Sequence, residues 1–184
     1  MKVSIDGING AGKTYIVQLL QASLKYPIIK CPLNLNLLDC IKNNATSEKI
    51  IWEQENERCL YNQVYDSYEN VIFDRAYLSH LIYSSLHYPN FESIHKYSYR
   101  LPDILIFIEI PYDLIVDSNK YALYCTKEEK IMIQNKMKQF LDSHERYERL
   151  RGFIWGSRKI HIYATNIEFI DEIIRLEKII RKIN

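Results

Sequence analysis

Residues Gly7 to Thr14 read Gly-Ile-Asn-Gly-Ala-Gly-Lys-Thr, and no other stretch of the 184-residue chain restricts its fold as much. Two glycines separated by four residues, then Lys and a hydroxyl residue, form a phosphate-cradling pattern when a strand precedes and a helix follows. Both flanks are present. Lys2 to Asp6 carries Val3 and Ile5, a short strand signal, and Thr14 to Leu24 sets Ile16, Leu19, Leu20 and Ser23 at helical spacing. Gly7, Gly10 and Gly12 can turn successive N–H groups inward, and a helix starting near Lys13 adds its positive end. Lys13 is then the candidate point charge for β- and γ-phosphates, and Thr14 the candidate hydroxyl for Mg²⁺.

Further along, Tyr26 to Cys31 reads as a second strand stopped by Pro32, and Leu33 to Asn43 as a helix with Leu33, Leu37, Leu38 and Ile41 on one face. Thr46 can cap a helix running to about Glu69. Within it, Glu53 to Arg58 (Glu-Gln-Glu-Asn-Glu-Arg) breaks the apolar stripe, which predicts a solvated face for most of those six residues. The alternative is a polar lining, with Trp52 beside it, for a cleft that takes a flat polar ligand. Val71-Ile72-Phe73 delivers Asp74-Arg75 at a strand end, Ala76 to Leu86 continues as a helix, and Asn90 to Tyr99 is a weaker helical piece. Ile104 to Ile110 is apolar on both faces and predicts a covered strand.

Pro111 suits the first turn of a short helix to about Asp117, followed by an irregular stretch from Ser118 to Cys125. Thr126 to Glu129 has capping-box spacing before a helix to about Leu141. Ser143 is expected to cap another helix ending at Gly152. Lys159 to Tyr163 reads as the last strand, and Thr165 to Glu168 as a second capping box ahead of a terminal helix through Ile180. Five strands alternating with helices predict an α/β fold, a five-stranded parallel sheet with helices on both faces, in one domain spanning 1–184.

The net charge of +1 gives no field favouring DNA or an anionic membrane, so neither is an expected partner. No apolar run approaches membrane-spanning length, and strand residues start directly after Met1, so the expectation is a cytoplasmic protein. Cys31, Cys40, Cys59 and Cys125 lack metal or disulfide spacing and read as small, mostly buried thiols. His87, His95, His144 and His161 are isolated and read as surface or packing residues.

Two segments carry a family likeness. Asp6 to Thr14 resembles the acidic-Gly-x-acidic-Gly-Ala-Gly-Lys-Ser/Thr loop of thymidylate kinase and related deoxynucleotide kinases among the P-loop kinases. Asp74-Arg75-Ala76-Tyr77-Leu78-Ser79-His80-Leu81-Ile82-Tyr83 is similar to that family's Asp-Arg-Tyr-x-x-Ser-x-x-Ala-Tyr segment. The resemblance implies a nucleoside monophosphate kinase type of fold with a short lid at about 118–126. It implies ATP and Mg²⁺ as cofactors, held by Gly7, Asn9, Gly10, Ala11, Gly12, Lys13 and Thr14, with Asp74 near the metal. It implies Arg75 on an acceptor phosphate, Asn9 at the sugar 3′-hydroxyl, Tyr83 against the sugar, Trp52 stacked on the base, and Ser79 and His80 lining the acceptor site. Asn9 stands where the family has a carboxylate and Ala76 where it has Tyr. The lid offers only Lys120, so Arg146, Arg149 or Arg151 would have to supply the lid cation.

A GTPase lacks its D-x-x-G and N-K-x-D segments here, leaving the kinases. Nucleoside kinases of this fold place a Glu just after strand two, where Lys30 to Asn34 has none, whereas a monophosphate acceptor needs a cation and no base. The favoured reading is transfer to a deoxynucleoside monophosphate, dTMP to dTDP. The alternatives are a deoxynucleoside kinase acting on the 5′-hydroxyl, with Glu53 or Asp74 as base, and a non-catalytic nucleotide sensor. Partners are small nucleotides, with a homodimer left open.

Overall fold

The computed structural model describes residues 1–30, 40, 43, 45–87, 90, 95–117 and 126–182. Its centre is a sheet of six strands: β1 (Lys2–Asp6), β2 (Ile28–Lys30), β3 (Val71–Asp74), β4 (Ile104–Glu109), β5 (Glu148–Trp155) and β6 (Arg158–Ala164), in the order β2-β3-β1-β4-β6-β5. β2, β3, β1 and β4 pair in parallel, with Ile5 beside Asp74 on one side and Ile106 on the other. Five α-helices appear among the described residues: α1 (Lys13–Leu24), α2 (Ser47–Asp66), α3 (Tyr77–His87), α4 (Lys127–Ser143) and α5 (Ile170–Arg181). α1 packs against α5, α2 against α3, and α3 against α4. The continuous apolar run in β4 is covered on both faces, since Ile104 through Ile108 are all fully buried.

The last third of the sheet departs from the all-parallel, five-stranded expectation. Ser143 does not cap a helix. It lies in the last turn of α4, its hydroxyl donating back to Phe140 O at 3.1 Å, and the residues to Gly152 enter β5 instead. Only two residues, Gly156 and Ser157, join β5 to β6, and a two-residue turn can connect only antiparallel strands. Gly156 takes the left-handed conformation that such a turn requires, φ 58°. β6 therefore runs antiparallel to both neighbours, while β5, one strand further out, points the same way as β4. This orientation carries the hairpin tip to the carboxyl edge of the parallel strands, the edge where such sheets hold ligands.

Helix ends follow the sequence more closely. Thr126 and Glu129 form the expected capping box, and Thr46 accepts from Lys49 N. The second box does not form. Asn166, not Thr165, takes the Glu168 N–H, a short 3₁₀ turn follows, and α5 starts at Ile170. Pro111 likewise introduces only a 3₁₀ turn, Tyr112–Leu114. The expected helix at 33–43 falls almost wholly outside the described residues, as do Cys31, Cys125, Lys120 and positions 118–125 of the expected lid. Of the other thiols, Cys40 is buried and Cys59 exposed.

Candidate phosphate and acceptor site

The glycine loop joins β1 to α1 at the sheet's carboxyl edge, and two of its glycines are required there. A β-carbon on Gly7 would lie 2.8 Å from Ile108 O, and its φ is 148°. Gly12, at φ 92°, is the N-cap of α1, and a β-carbon on it would meet the Trp155 ring at 3.2 Å. Lys13 is buried and donates from Nζ to Ile8 O at 2.7 Å, so the loop folds around its own cation. Burial, then the nearby Arg75 charge, lower the Lys13 ammonium to about 7, against the pull of Asp6 and Asp74. Thr14 is exposed in the first turn of α1, Asn9 half-buried, Ala11 buried and Gly10 exposed.

Arg75 sits in the left-handed region, φ 67°, a conformation that costs a non-glycine residue about 1–2 kcal/mol. That turn aims its guanidinium back at the loop. Nη1 donates to Gly7 O at 3.2 Å, Nη2 donates to Asn9 Oδ1, and the group lies 5.8 Å from the centre of the half-buried Tyr83 ring. Asp74 is half-buried beside it, close enough for its charge to act on Lys13.

Asp6 is the structural residue the sequence reading passed over. It is fully buried, and its Oδ1 accepts from Ala76 N at 3.4 Å, Ser79 N at 3.2 Å and Ser79 Oγ. The first N–H groups of α3 are thus satisfied by a carboxylate from another element, which fixes the helix carrying Ser79, His80 and Tyr83. Burial raises the Asp6 carboxyl, and the Ser79 bond and the Arg75 charge oppose it. An acidic residue at the end of β1 facing a helix start was the available signal.

The wall between α2 and α3 corrects the solvated-face reading. Glu53 and Gln54 are buried, and Gln54 Nε2 donates to Ser84 O at 3.0 Å. Glu57 Oε1 lies 3.0 Å from His80 Nε2. Burial, then the Glu53 charge, raise Glu57 to about 7, while burial lowers His80 to about 4. A neutral imidazole facing a carboxyl that shares its proton with solvent near pH 7 follows from those directions. Trp52 instead projects from α2 at 62% exposure.

Arg146, Arg149 and Arg151 are exposed, and the last two stand on β5 rather than on a helix. Arg151 lies 3.9 Å from Glu177. His144 and His161 are packing residues with partners: His144 Nε2 is 2.8 Å from Tyr77 Oη, and His161 Nε2 is 2.7 Å from Glu109 Oε2.

Among the described residues, no three His, Cys, Asp or Glu side chains cluster to hold a metal unaided. Thr14 and Asp74, the expected metal ligands, offer oxygen donors only, the kind that suits Mg²⁺, an ion that keeps several waters and shares phosphate oxygens. No described helix is long and apolar enough to cross a membrane.

No protein-family model and no curated protein matches this chain. Solved structures do match its fold. Deoxyadenosine kinase from M. mycoides with products dCMP and a flexible dCDP bound is 20% identical over 77% of this chain and 84% of that one, with a TM-score of 0.56. The same enzyme with bound dCTP is 19% identical over 77% and 83%, TM-score 0.57. With bound dATP it is 20% identical over 79% and 86%, TM-score 0.57. The chain thus has an α/β fold similar to that of a P-loop kinase, with six strands rather than five.

Proposed function

We propose that this chain transfers the γ-phosphoryl group of ATP to the 5′-hydroxyl of a deoxynucleoside. One observation carries the choice of acceptor. The buried polar residues of α2 and α3 are Glu53, Gln54, Ser79, His80, Ser84 and Ser85, and none is a cation at neutral pH. A wall with two coupled carboxyl groups repels a phosphate dianion, whereas a hydroxyl needs a carboxylate to take its proton. Arg75, the cation that transfer from dTMP to dTDP would rely on, is turned toward the loop, with Nη1 on Gly7 O and Nη2 on Asn9 Oδ1. The kinship of fold with a deoxyadenosine kinase supports the same choice.

In this reading residues 1–184 are one kinase domain with its lid at about 118–126. The loop amides and Lys13 bind the triphosphate, and Lys13 neutralises charge on the transferring oxygens. Thr14 and Asp74 would hold Mg²⁺, which supplies charge neutralisation at the phosphates when bound. Ser79, His80 and Tyr83 line the nucleoside, with Tyr83 against the sugar. Glu53 accepts the hydroxyl proton as the hydroxyl oxygen bonds to the γ-phosphorus and ADP departs. General-base removal costs roughly 10²–10⁴-fold. Glu53→Gln is therefore expected to lower kcat for deoxynucleosides by about that factor, with ATP affinity retained. Unchanged turnover in Glu53→Gln, with loss in Asp74→Asn, would move the base to Asp74.

A further inference from the structure

The β5–β6 hairpin was not expected from the sequence, yet its tip rests on the phosphate loop. Trp155 stacks on Tyr15 of α1, ring centroids 5.8 Å apart at 25°, and its ring edge meets the position where Gly12 would carry a β-carbon. Arg158, the first residue of β6, has Nε 3.8 Å from that same point. Its guanidinium lies over the Trp155 ring at 5.7 Å. The hairpin thus places a cation beside the residue that begins α1, where the helix's positive end and Lys13 already gather positive charge.

Asp6 and Asp74 act on Lys13, but Arg158 has no acidic partner among the described residues. Arg158 Nε is enclosed and has no hydrogen-bond partner, and no described carboxylate lies within ion-pairing distance of Arg158. An enclosed guanidinium N–H left without an acceptor is costly, and here it adds to the electropositive crowding. An anion between the loop amides and Arg158 would satisfy both.

We propose that Arg158 binds the donor's polyphosphate from the hairpin, taking the place of the arginine that the lid sequence lacks. The inference rests on the kinase reading above for the identity of the donor, but not on which acceptor is used. Trp155, pinned by Tyr15 and the short Gly156-Ser157 turn, keeps the guanidinium in position, so little side-chain freedom remains to be lost on binding. A planar fork of N–H groups matches a phosphate with two parallel contacts, which a lysine cannot reproduce.

The test is calorimetric titration of the full chain with inorganic tripolyphosphate and with Mg·ATP, beside steady-state kinetics, for Arg158→Ala and Arg158→Lys. The melting temperature of each variant reports folding separately. Arg158→Ala is expected to bind both ligands about 10–100-fold more weakly, with KM for the acceptor unmoved. Arg158→Lys should recover part of the tripolyphosphate affinity, which a purely structural role for Arg158 would not require. Tripolyphosphate and Mg·ATP affinities within twofold of the parent in a folded Arg158→Ala overturn the proposal, as does a parent that binds neither ligand. If Arg158→Ala weakens tripolyphosphate as expected while no nucleoside or nucleotide accepts phosphate, the Arg158 site stands and the kinase reading falls. If phosphoryl transfer proceeds and Arg158→Ala behaves as the parent, the reverse holds.

Discussion

Arg75 and Asn9 are bound to each other, the guanidinium of the β3 turn donating to the side-chain oxygen of the phosphate loop. The contact holds a second cation close to Lys13 and contributes to the lowering of its ammonium to about 7. Asn9 accepts that hydrogen bond without adding the negative charge with which a carboxylate there would restore the lysine's proton affinity.

Proton uptake on nucleotide binding follows. At pH 8 a Lys13 held at about 7 is mostly neutral, and a triphosphate beside it favours the charged form. ATP binding at pH 8 should therefore take up close to one proton, falling toward zero at pH 6. Titration calorimetry in buffers of differing ionisation enthalpy measures this directly, and no uptake at pH 8 would contradict the assigned environment of Lys13.

Removing the lysine should separate catalysis from stability. Lys13→Met is expected to lose about 10²–10³ in rate, as when a preorganised donor is removed. Its effect on stability has the opposite sign. A lysine whose folded value lies below its ordinary 10.5 opposes folding fully below pH 7, and that cost fades as pH rises toward 10.5. Melting of Lys13→Met should exceed that of the parent more at pH 6 than at pH 9. A variant with parental activity would remove Lys13 from the mechanism.

Glu57 titrates in the other sense. Its folded value, about 7 against an ordinary 4.5, lies above the unfolded one, so its stabilising contribution is whole below pH 4.5 and is lost as pH rises through 7. Glu57→Gln, which stays neutral against His80, should stabilise the chain relative to the parent by roughly 1–3 kcal/mol at pH 8 and little at pH 4.5. Equal stability differences at both pH values would show that folding leaves the Glu57 carboxyl unshifted.

Much of this architecture could be read in advance where local chemistry decides. The glycine loop, the apolar run of β4 and the capping box at Thr126 each specify their own structure within a few residues. Two features resisted. Glu53 and Gln54 look solvated because the helical period assigns polar residues to water, but tertiary packing turned that face toward α3, where Ser84 and His80 supply polar neighbours. The hairpin was missed because Ser143 and the charged residues after it imitate a helix start. The available signal was Gly156-Ser157 between Phe153-Ile154-Trp155 and Ile160-His161-Ile162, a two-residue turn flanked by strand-forming residues. With it went Trp155 and Arg158, the residues nearest Gly12. In the acceptor region, Arg75 reaches Ser79 and Tyr83, while His80 packs against Glu57 and Tyr61, and Trp52 stands exposed on α2.

The sugar contact is testable through Tyr83, half-buried beside Arg75. If ring bulk excludes a 2′-hydroxyl, Tyr83→Phe keeps deoxy selectivity and Tyr83→Ala loses it, read as the ratio of kcat/KM for each deoxynucleoside and its ribonucleoside. A ratio near one in the parent would end the steric account.

The acceptor itself is the central claim, and product identity tests it most directly. With ATP labelled at the γ-phosphate, Mg²⁺ and an equimolar mixture of deoxynucleosides and deoxynucleoside monophosphates, label is expected to appear first in monophosphates. Label appearing first in diphosphates, dTDP above all, would contradict it and return Arg75 to the acceptor phosphate.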